Sequence, residues 1–226
     1  MRLFKLRVLG LLTAGLAAAG AAHAAPILVN GSLTGPISNG GVPPSWTVLA
    51  GSPDTMDENN NVGVGGLGDF VTAPAGPSPD GGTWVGFAHD GAFVETFGQT
   101  IGGFTVGNEY TLTWYLGNFG YSGVAPPYGA ANGVEVLLDG ASAGSSPVVA
   151  SGSGWTEQSL SFIALSVIQE ISFRPVSTDR SYISIDGIRL DDAGLAPVPE
   201  PASLLLLGTG GLGVLAALRR RKRQQS

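Results

Sequence analysis

The side chains of this 226-residue chain that could carry out chemistry are few, and most of them are carboxylates. The chain has no cysteine, which excludes thiolate zinc sites and cysteine nucleophiles. His89 is followed by Asp90, but no Gly-x-Ser-x-Gly motif supplies a serine for such a pair to activate. The run His89-Asp90-Gly91 is instead typical of a turn.

Carboxylates offer a second route to catalysis, because a pair of acidic side chains can hydrolyse a glycosidic bond. No spacing along the chain singles out one pair. The acids that could contribute are Asp69, Asp80, Glu95, Glu135 and Glu157. A weak carboxylate-dependent polysaccharide hydrolase or lyase is therefore the alternative to a non-catalytic function.

Residues 117–132 form a long segment rich in glycine, proline and aromatic residues, between two segments that predict strands. One hypothesis is that its rings face solvent and hold the apolar face of a sugar, while its amides bond the hydroxyls. The other is that the rings fold back and cap the core. The candidate ligand-binding residues are Asn118, Phe119, Tyr121, Tyr128 and Asn132.

A second polar cluster lies near residue 57 and consists of Asp54, Asp57, Glu58, Asn59, Asn60 and Asn61. The cluster lacks the Asp-x-Asp-x-Asp-Gly spacing of a calcium loop. It is therefore interpreted either as a loose calcium site or as a solvated turn.

The segments that must position these side chains are short and are separated by glycine, proline and asparagine. Alternating and β-branched residues predict strands, and no segment between the two termini has a 3.6-residue apolar period. Eight or more strands without helices predict a β-sandwich or jelly roll, with the four tryptophans more often in its core. The predicted strands cover residues 46–50, 83–88, 93–101, 109–118, 133–139, 155–164, 169–175 and 182–190.

The N-terminus predicts a secretory signal peptide over residues 1–24. Arg2, Lys5 and Arg7 precede a short apolar run, and Ala22-His23-Ala24 is a small-x-small cleavage site. An uncleaved N-terminal anchor is the alternative. The ectodomain would then be residues 25–197.

The ectodomain is strongly acidic, with 16 of the 17 acidic residues, three arginines and no lysine, for a formal charge of −13. Such a surface repels phosphate backbones, so nucleic acid is excluded as a partner. The same charge suits Ca²⁺, which prefers several oxygen ligands.

The C-terminus combines three elements in a fixed order. Pro199-Glu200-Pro201 precedes residues 202–218, which carry no charge and predict a single membrane helix, and residues 219–223 are all basic. The basic cluster predicts that its end is cytoplasmic and that the ectodomain lies outside. A permanent single-span anchor has the same physical pattern.

Residues 198–223, with the motif Val198-Pro199-Glu200-Pro201, resemble the PEP-CTERM sorting signal. The resemblance implies export in a Gram-negative bacterium, processing by an exosortase, and a membrane anchor that lasts only until processing. It also implies an extracellular or envelope setting associated with exopolysaccharide and biofilm.

The ectodomain itself is similar to the galactose-binding-like jelly roll of carbohydrate-binding modules. The resemblance lies in Asn30-Gly31-Ser32, in the strand around Trp114, in the segment after Trp155, and in Ile183–Leu190. It implies a structural Ca²⁺ where the first and last strands meet, with Asp186 as a ligand. Candidate partners for that ion are Asn30 and Thr34, although Thr34 stands where the family often has an acid.

These observations predict an exported all-β protein with a C-terminal sorting tail. Its expected role is that of a non-catalytic binding or structural module, with a neutral polysaccharide as the expected partner.

Overall fold

The computed structural model describes residues 25–59 and 69–195, and the described chain folds as a two-sheet β-sandwich. The predicted signal peptide and the C-terminal sorting tail lie outside the described residues. The strands are β1 (Thr47–Ala50), β2 (Asp54–Met56), β3 (Trp84–His89), β4 (Thr96–Gly102), β5 (Asn108–Gly117), β6 (Val134–Leu138), β7 (Ala141–Ser145), β8 (Thr156–Ile163), β9 (Ile168–Pro175) and β10 (Ser181–Leu195).

Each sheet has five antiparallel strands. One sheet has the order β1-β4-β9-β6-β7, and the other has the order β2-β3-β10-β5-β8. Because strands that are neighbours in space are mostly distant in sequence, the chain crosses repeatedly between the sheets. The predicted all-β sandwich is confirmed.

The main core lies between the sheets, and strand alternation decides which residues enter it. In β3, Val85 and Phe87 point into this core, where Phe87 meets Phe97 edge to face at 5.5 Å between ring centroids. Trp84 and Ala88 point to the other face of the same strand and belong to a second apolar cluster. The second sheet is therefore covered on both faces.

The two ends of the sandwich differ. One end, here called the loop end, carries the segments 89–95, 117–132, 146–155 and 176–180. The other, here called the C-terminal end, carries the loops 103–107 and 164–167. β10 finishes at the C-terminal end, where Leu195 pairs with Asn108 at the start of β5.

Two short strands were missed by the sequence pattern. β2 begins in the cluster that the sequence leaves open between a loose calcium site and a solvated turn. β7 (Ala-Ser-Ala-Gly-Ser) has no alternation of apolar and polar residues. Trp46, Trp84 and Trp114 are buried, as expected, whereas Trp155 is only partly buried. No helix among residues 25–59 and 69–195 is long and apolar enough to span a membrane.

Candidate functional site

The aromatic segment 117–132 folds back onto the second sheet. Tyr121 and Tyr128 exchange two backbone hydrogen bonds, of 3.0 and 2.8 Å, so the segment doubles over as a small hairpin. The Phe119 and Tyr121 rings are buried, and Phe119 packs edge to face against Trp155 at 5.1 Å. The expectation that these two rings meet a ligand in solvent is corrected, because the outward face of β3 offers them apolar partners.

The two asparagines of this segment are also buried. The Asn118 side chain donates to the carbonyl of Ala130 at 3.0 Å, and Asn132 donates to the carbonyl of Ser177 at 3.0 Å. Asn132 also accepts the Ser177 backbone N–H at 2.8 Å. Both amides hold loop backbone together, so the structure does not support their assignment to sugar hydroxyls.

Tyr128 is the one predicted aromatic residue that remains partly exposed. The Arg180 guanidinium lies 3.8 Å from its ring centroid and covers one face. Phe93, which is 40% exposed, lies beside it with ring centroids 6.4 Å apart. Phe93 and the partly exposed Tyr128 therefore offer accessible aromatic surface at the loop end.

Two buried carboxylates lie next to these rings. The Asp54 carboxylate accepts the Tyr182 hydroxyl at 2.5 Å and the Gly40 backbone N–H at 2.7 Å. The Glu95 carboxylate accepts the Ala88 N–H at 2.7 Å and the Ser52 hydroxyl at 3.0 Å. These donors are neutral, and within residues 25–59 and 69–195 neither acid forms a salt bridge.

Two glycines make room for this arrangement. Gly51 has a φ of +65°, and a Cβ there would lie 2.6 Å from Glu95 Cγ. A Cβ at Gly86 would collide with the Tyr182 ring and the end of Met56. Tyr182 reaches Asp54 across the space that Gly86 leaves open.

Burial changes the pKa values of these groups. Desolvation raises the pKa of Glu95 to about 7, and the nearby charge of Asp54 acts in the same direction. Desolvation also raises the pKa of Asp54. Desolvation raises the pKa of the buried Tyr182 hydroxyl as well. Glu95 therefore exchanges its proton close to neutral pH.

The rings and carboxylates surround a pocket of about 120 Å³. This volume is well below the roughly 300–1,000 Å³ of a typical small-molecule site. The pocket can admit an edge of a sugar ring, while the rest of the ligand would lie over its rim. The lining residues are Asn39, Ser52, Asp54, Ala88, Phe93, Glu95, Tyr121, Tyr128 and Tyr182.

Sequence reasoning found only part of this pocket. In the sequence, Glu95 is one of five acids without an evident partner, and Phe93 belongs to a predicted strand. Asp54 belongs to the cluster interpreted as a loose calcium site or a solvated turn. The strand pairing Asp54↔Gly86 and the bond from Tyr182, 128 residues further along the chain, bring the set together. No local pattern carries that information.

The residues predicted to bind a metal do not form an evident set of ligands. Asp186 is buried and accepts the Ser78 hydroxyl through one oxygen, while its Oδ1 has no hydrogen bond of good geometry. The Asn30 oxygen accepts the Thr34 backbone N–H at 3.1 Å, and Thr34 is exposed. Among the described residues, no three His, Cys, Asp or Glu side chains cluster as a metal site.

The opening segment does meet the closing strand, as the resemblance implied. The Ile188 backbone N–H donates to the Gly31 carbonyl at 2.7 Å, two residues from Asp186. Desolvation raises the pKa of Asp186 to about 7, against smaller opposing effects from Ser78 and the Gly187 backbone. The buried Asp186 Oδ1 is an oxygen that could bind a cation. The other two predicted ligands, Asn30 and Thr34, do not complete a set of ligands with it.

The other acids considered for catalysis lie apart from the pocket. Glu135 accepts Arg174 Nε at 2.6 Å, and Asp80 and Glu157 both face Arg189, at 3.4 and 3.8 Å. The backbone carbonyl of Asp69 accepts the Ser122 N–H at 2.6 Å. Of the five, only Glu95 is itself buried, and it lies close to the buried Asp54. Asp80 is exposed, although its charge acts on the buried Asp186.

Comparison with solved structures supports the architecture. A Stig cyclase from Fischerella sp. TAU, solved with an indole-pyrrolidine ligand, is 16% identical, with a TM-score of 0.52 over 76% of this chain and 99% of that one. At that identity the likeness speaks to the fold alone. The chain is thus a member of the broad class of two-sheet β-sandwich domains.

Carbohydrate-binding modules are also among the structural neighbours. The C-terminal CBM6 of LamC from Zobellia galactanivorans is 14% identical, with a TM-score of 0.36 over 62% of this chain and 98% of that one. The CBM22-1–GH10 portion of xylanase 10B from Clostridium thermocellum is 12% identical, with a TM-score of 0.42 over 66% of this chain and 26% of that one. At these TM-scores neither likeness carries an argument.

The C-terminal tail is the more specific finding. Residues 197–222 match the PEP-CTERM protein-sorting motif, and no curated protein sequence matches the chain. The chain therefore carries a PEP-CTERM sorting motif, as predicted. The motif implies a C-terminal transmembrane segment, exosortase-dependent processing, and an exported, envelope-associated protein.

Proposed function

We propose that this protein is a non-catalytic module that binds a neutral polysaccharide at the envelope or in the extracellular matrix of a Gram-negative bacterium. The observation that carries the proposal is the pocket at the loop end. It places the exposed Phe93 ring beside two buried carboxylates, Asp54 and Glu95, whose oxygens can accept hydroxyl hydrogen bonds. An aromatic face next to fixed acceptors is the combination that sugars require.

The charge of the molecule favours a neutral ligand. Residues 25–197 carry a formal charge of −13, and the three arginines among them each face a carboxylate. An anionic polymer would approach against this field. The small pocket also predicts weak affinity, with a dissociation constant of about 0.1–1 mM.

The proposal is tested by affinity electrophoresis of the purified chain in gels containing xylan, laminarin or dextran. Phe93→Ala should abolish any retardation while changing the melting temperature by no more than about a degree or two. Val148→Ala is the matched control, because Val148 is also exposed at the loop end but does not line the pocket. Binding that survives in Phe93→Ala would place the ligand elsewhere on the sandwich.

A second candidate function is supported by the same two acids. A general acid needs a pKa near the working pH, and the pKa of Glu95 is raised to about 7 beside Asp54. The alternative is a weak carboxylate-dependent glycan hydrolase or lyase. Release of reducing ends that is lost in Glu95→Gln, while retardation persists, would favour the enzyme over the binding module.

We also propose that Ca²⁺ binds at Asp186 as a structural ion, supported by the buried Asp186 Oδ1 and the acidic surface. Millimolar Ca²⁺ should then raise the melting temperature by mass action. Asp186→Asn should remove that rise. An equal rise with Mg²⁺, or no change in the variant, would indicate diffuse charge screening instead.

A further inference from the structure

The C-terminal end of the sandwich carries an exposed apolar surface, here called the apolar tip. Five large apolar side chains at this end are about half exposed or more. Leu165 is the most exposed, at 76%. The members of the tip are Val106, Ile163, Leu165, Val167 and Ile168.

The two loops that form the tip are bound to each other. The backbone N–H groups of Gly103 and Phe104 donate to the Val167 carbonyl at 3.0 and 3.2 Å. The Gly107 N–H donates to the Ala164 carbonyl at 2.9 Å. The exposed side chains therefore stand on a single ordered surface.

An aromatic group beneath the tip holds these loops in place. Phe104 packs edge to face on Tyr110 at 4.9 Å, and Tyr110 stacks on Phe162 at 5.9 Å. The Tyr110 hydroxyl accepts the Thr105 backbone N–H at 2.9 Å. Because the buried rings order the loops, the exposed side chains are not needed for folding.

The chain leaves the sandwich at this same end. Leu195 pairs with Asn108, the residue that follows the 103–107 loop. The charge-free segment begins at Ala202, seven residues further on. Seven residues span at most about 25 Å when fully extended. While the transmembrane segment implied by the sorting motif is attached, the tip is confined close to the bilayer surface.

We propose that the apolar tip is a lipid-contacting surface that rests in the bilayer interface while the tail is attached, with the loop-end pocket pointing away from the membrane. Exposed apolar side chains bind such interfaces in proportion to the area they bury. The same end carries the carboxylates of Glu109, Glu170, Asp191 and Asp192 on strand ends, and that of Asp139 in the turn between β6 and β7. Their charge favours a zwitterionic lipid surface over an anionic one.

The absence of cysteine from the chain allows a direct test. The full chain with its tail is reconstituted into phosphatidylcholine vesicles, with an environment-sensitive fluorophore on Leu165→Cys or on Val148→Cys. Val148 is the matched control, because it is 56% exposed but belongs to the loop end. Thermal melts of both labelled variants should match that of the parent.

The fluorophore at position 165 should shift to shorter wavelength and be quenched by spin-labelled lipid, whereas the one at 148 should do neither. The additional change Val167→Asp should reduce both effects at 165, and so should replacing part of the lipid with phosphatidylglycerol at low salt. The proposal is overturned if positions 165 and 148 respond alike. It is also overturned if the response at 165 follows the protein-to-lipid ratio without quenching by lipid, because a second copy would then cover the tip.

Discussion

At the scale of single residues, Glu95 makes the stability of the domain depend on pH in an unusual direction. Its pKa is about 7 in the folded protein and 4.5 in its ordinary environment. A raised pKa means that the folded state binds the proton more tightly, so the stabilisation is full below about pH 4.5 and is lost as pH rises through 7. The raised pKa of Glu95 lowers the free energy of unfolding by about 3 kcal/mol between acidic pH, where the group is protonated, and alkaline pH, where it is ionised.

We therefore expect the melting temperature to be higher at pH 5 than at pH 8, measured in EDTA. Glu95→Gln should reduce this difference and stabilise the protein at pH 8, because the amide keeps an acceptor for the Ala88 N–H. The part that remains is expected from Asp186 and Asp54, whose pKa values are also raised by burial. Glu157→Gln is the control, since the Glu157 side chain is 58% exposed. A pH dependence that is unchanged in Glu95→Gln would show that the carboxyl is solvated.

At the scale of elements, the 117–132 hairpin is a structural cover for β3, and its rings have unequal roles. Tyr121→Ala would remove a buried ring that packs on Tyr182 at 6.0 Å. We expect a loss of about 3 kcal/mol, or roughly 6–12 °C in melting temperature for a domain of this size.

The exposed ring of Phe93 supplies the comparison for Tyr121. Phe93→Ala should change the melting temperature by no more than a degree or two, because surface substitutions have small effects on stability. Differential scanning calorimetry of the two variants measures both values. Small decreases of equal size in the two melting temperatures would mean that the Tyr121 ring is accessible to solvent. The hypothesis that Tyr121 contacts a ligand would then regain support.

At the scale of the whole molecule, the sorting motif predicts where the chain ends after export. The match at residues 197–222 implies exosortase processing, so the mature extracellular protein should lack the basic residues 219–223. C-terminal mass spectrometry of protein from the native host measures this. Recovery of Gln224-Gln225-Ser226 on the extracellular form would show that the tail is kept as an anchor.

The sequence alone determined the features that depend on local composition and order. The sorting motif is a contiguous pattern of proline, apolar and basic residues, so it was recognised without a structure. The all-β class followed from strand alternation, as at Tyr182–Leu190, because side chains on successive residues of a strand point to opposite faces. The charge of −13 is likewise a property of composition.

The tertiary structure alone decided which side chains are accessible and which meet. A glycine-rich segment with three aromatic rings has the same composition whether it projects into solvent or folds back. Here the outward-facing Trp84 gave Phe119 and Tyr121 an apolar surface to bury against. Asp54 and Glu95 line one pocket because strand pairing and the hydrogen bond from Tyr182 bring distant segments of the chain together. Such long-range contacts leave no periodic signal in the sequence.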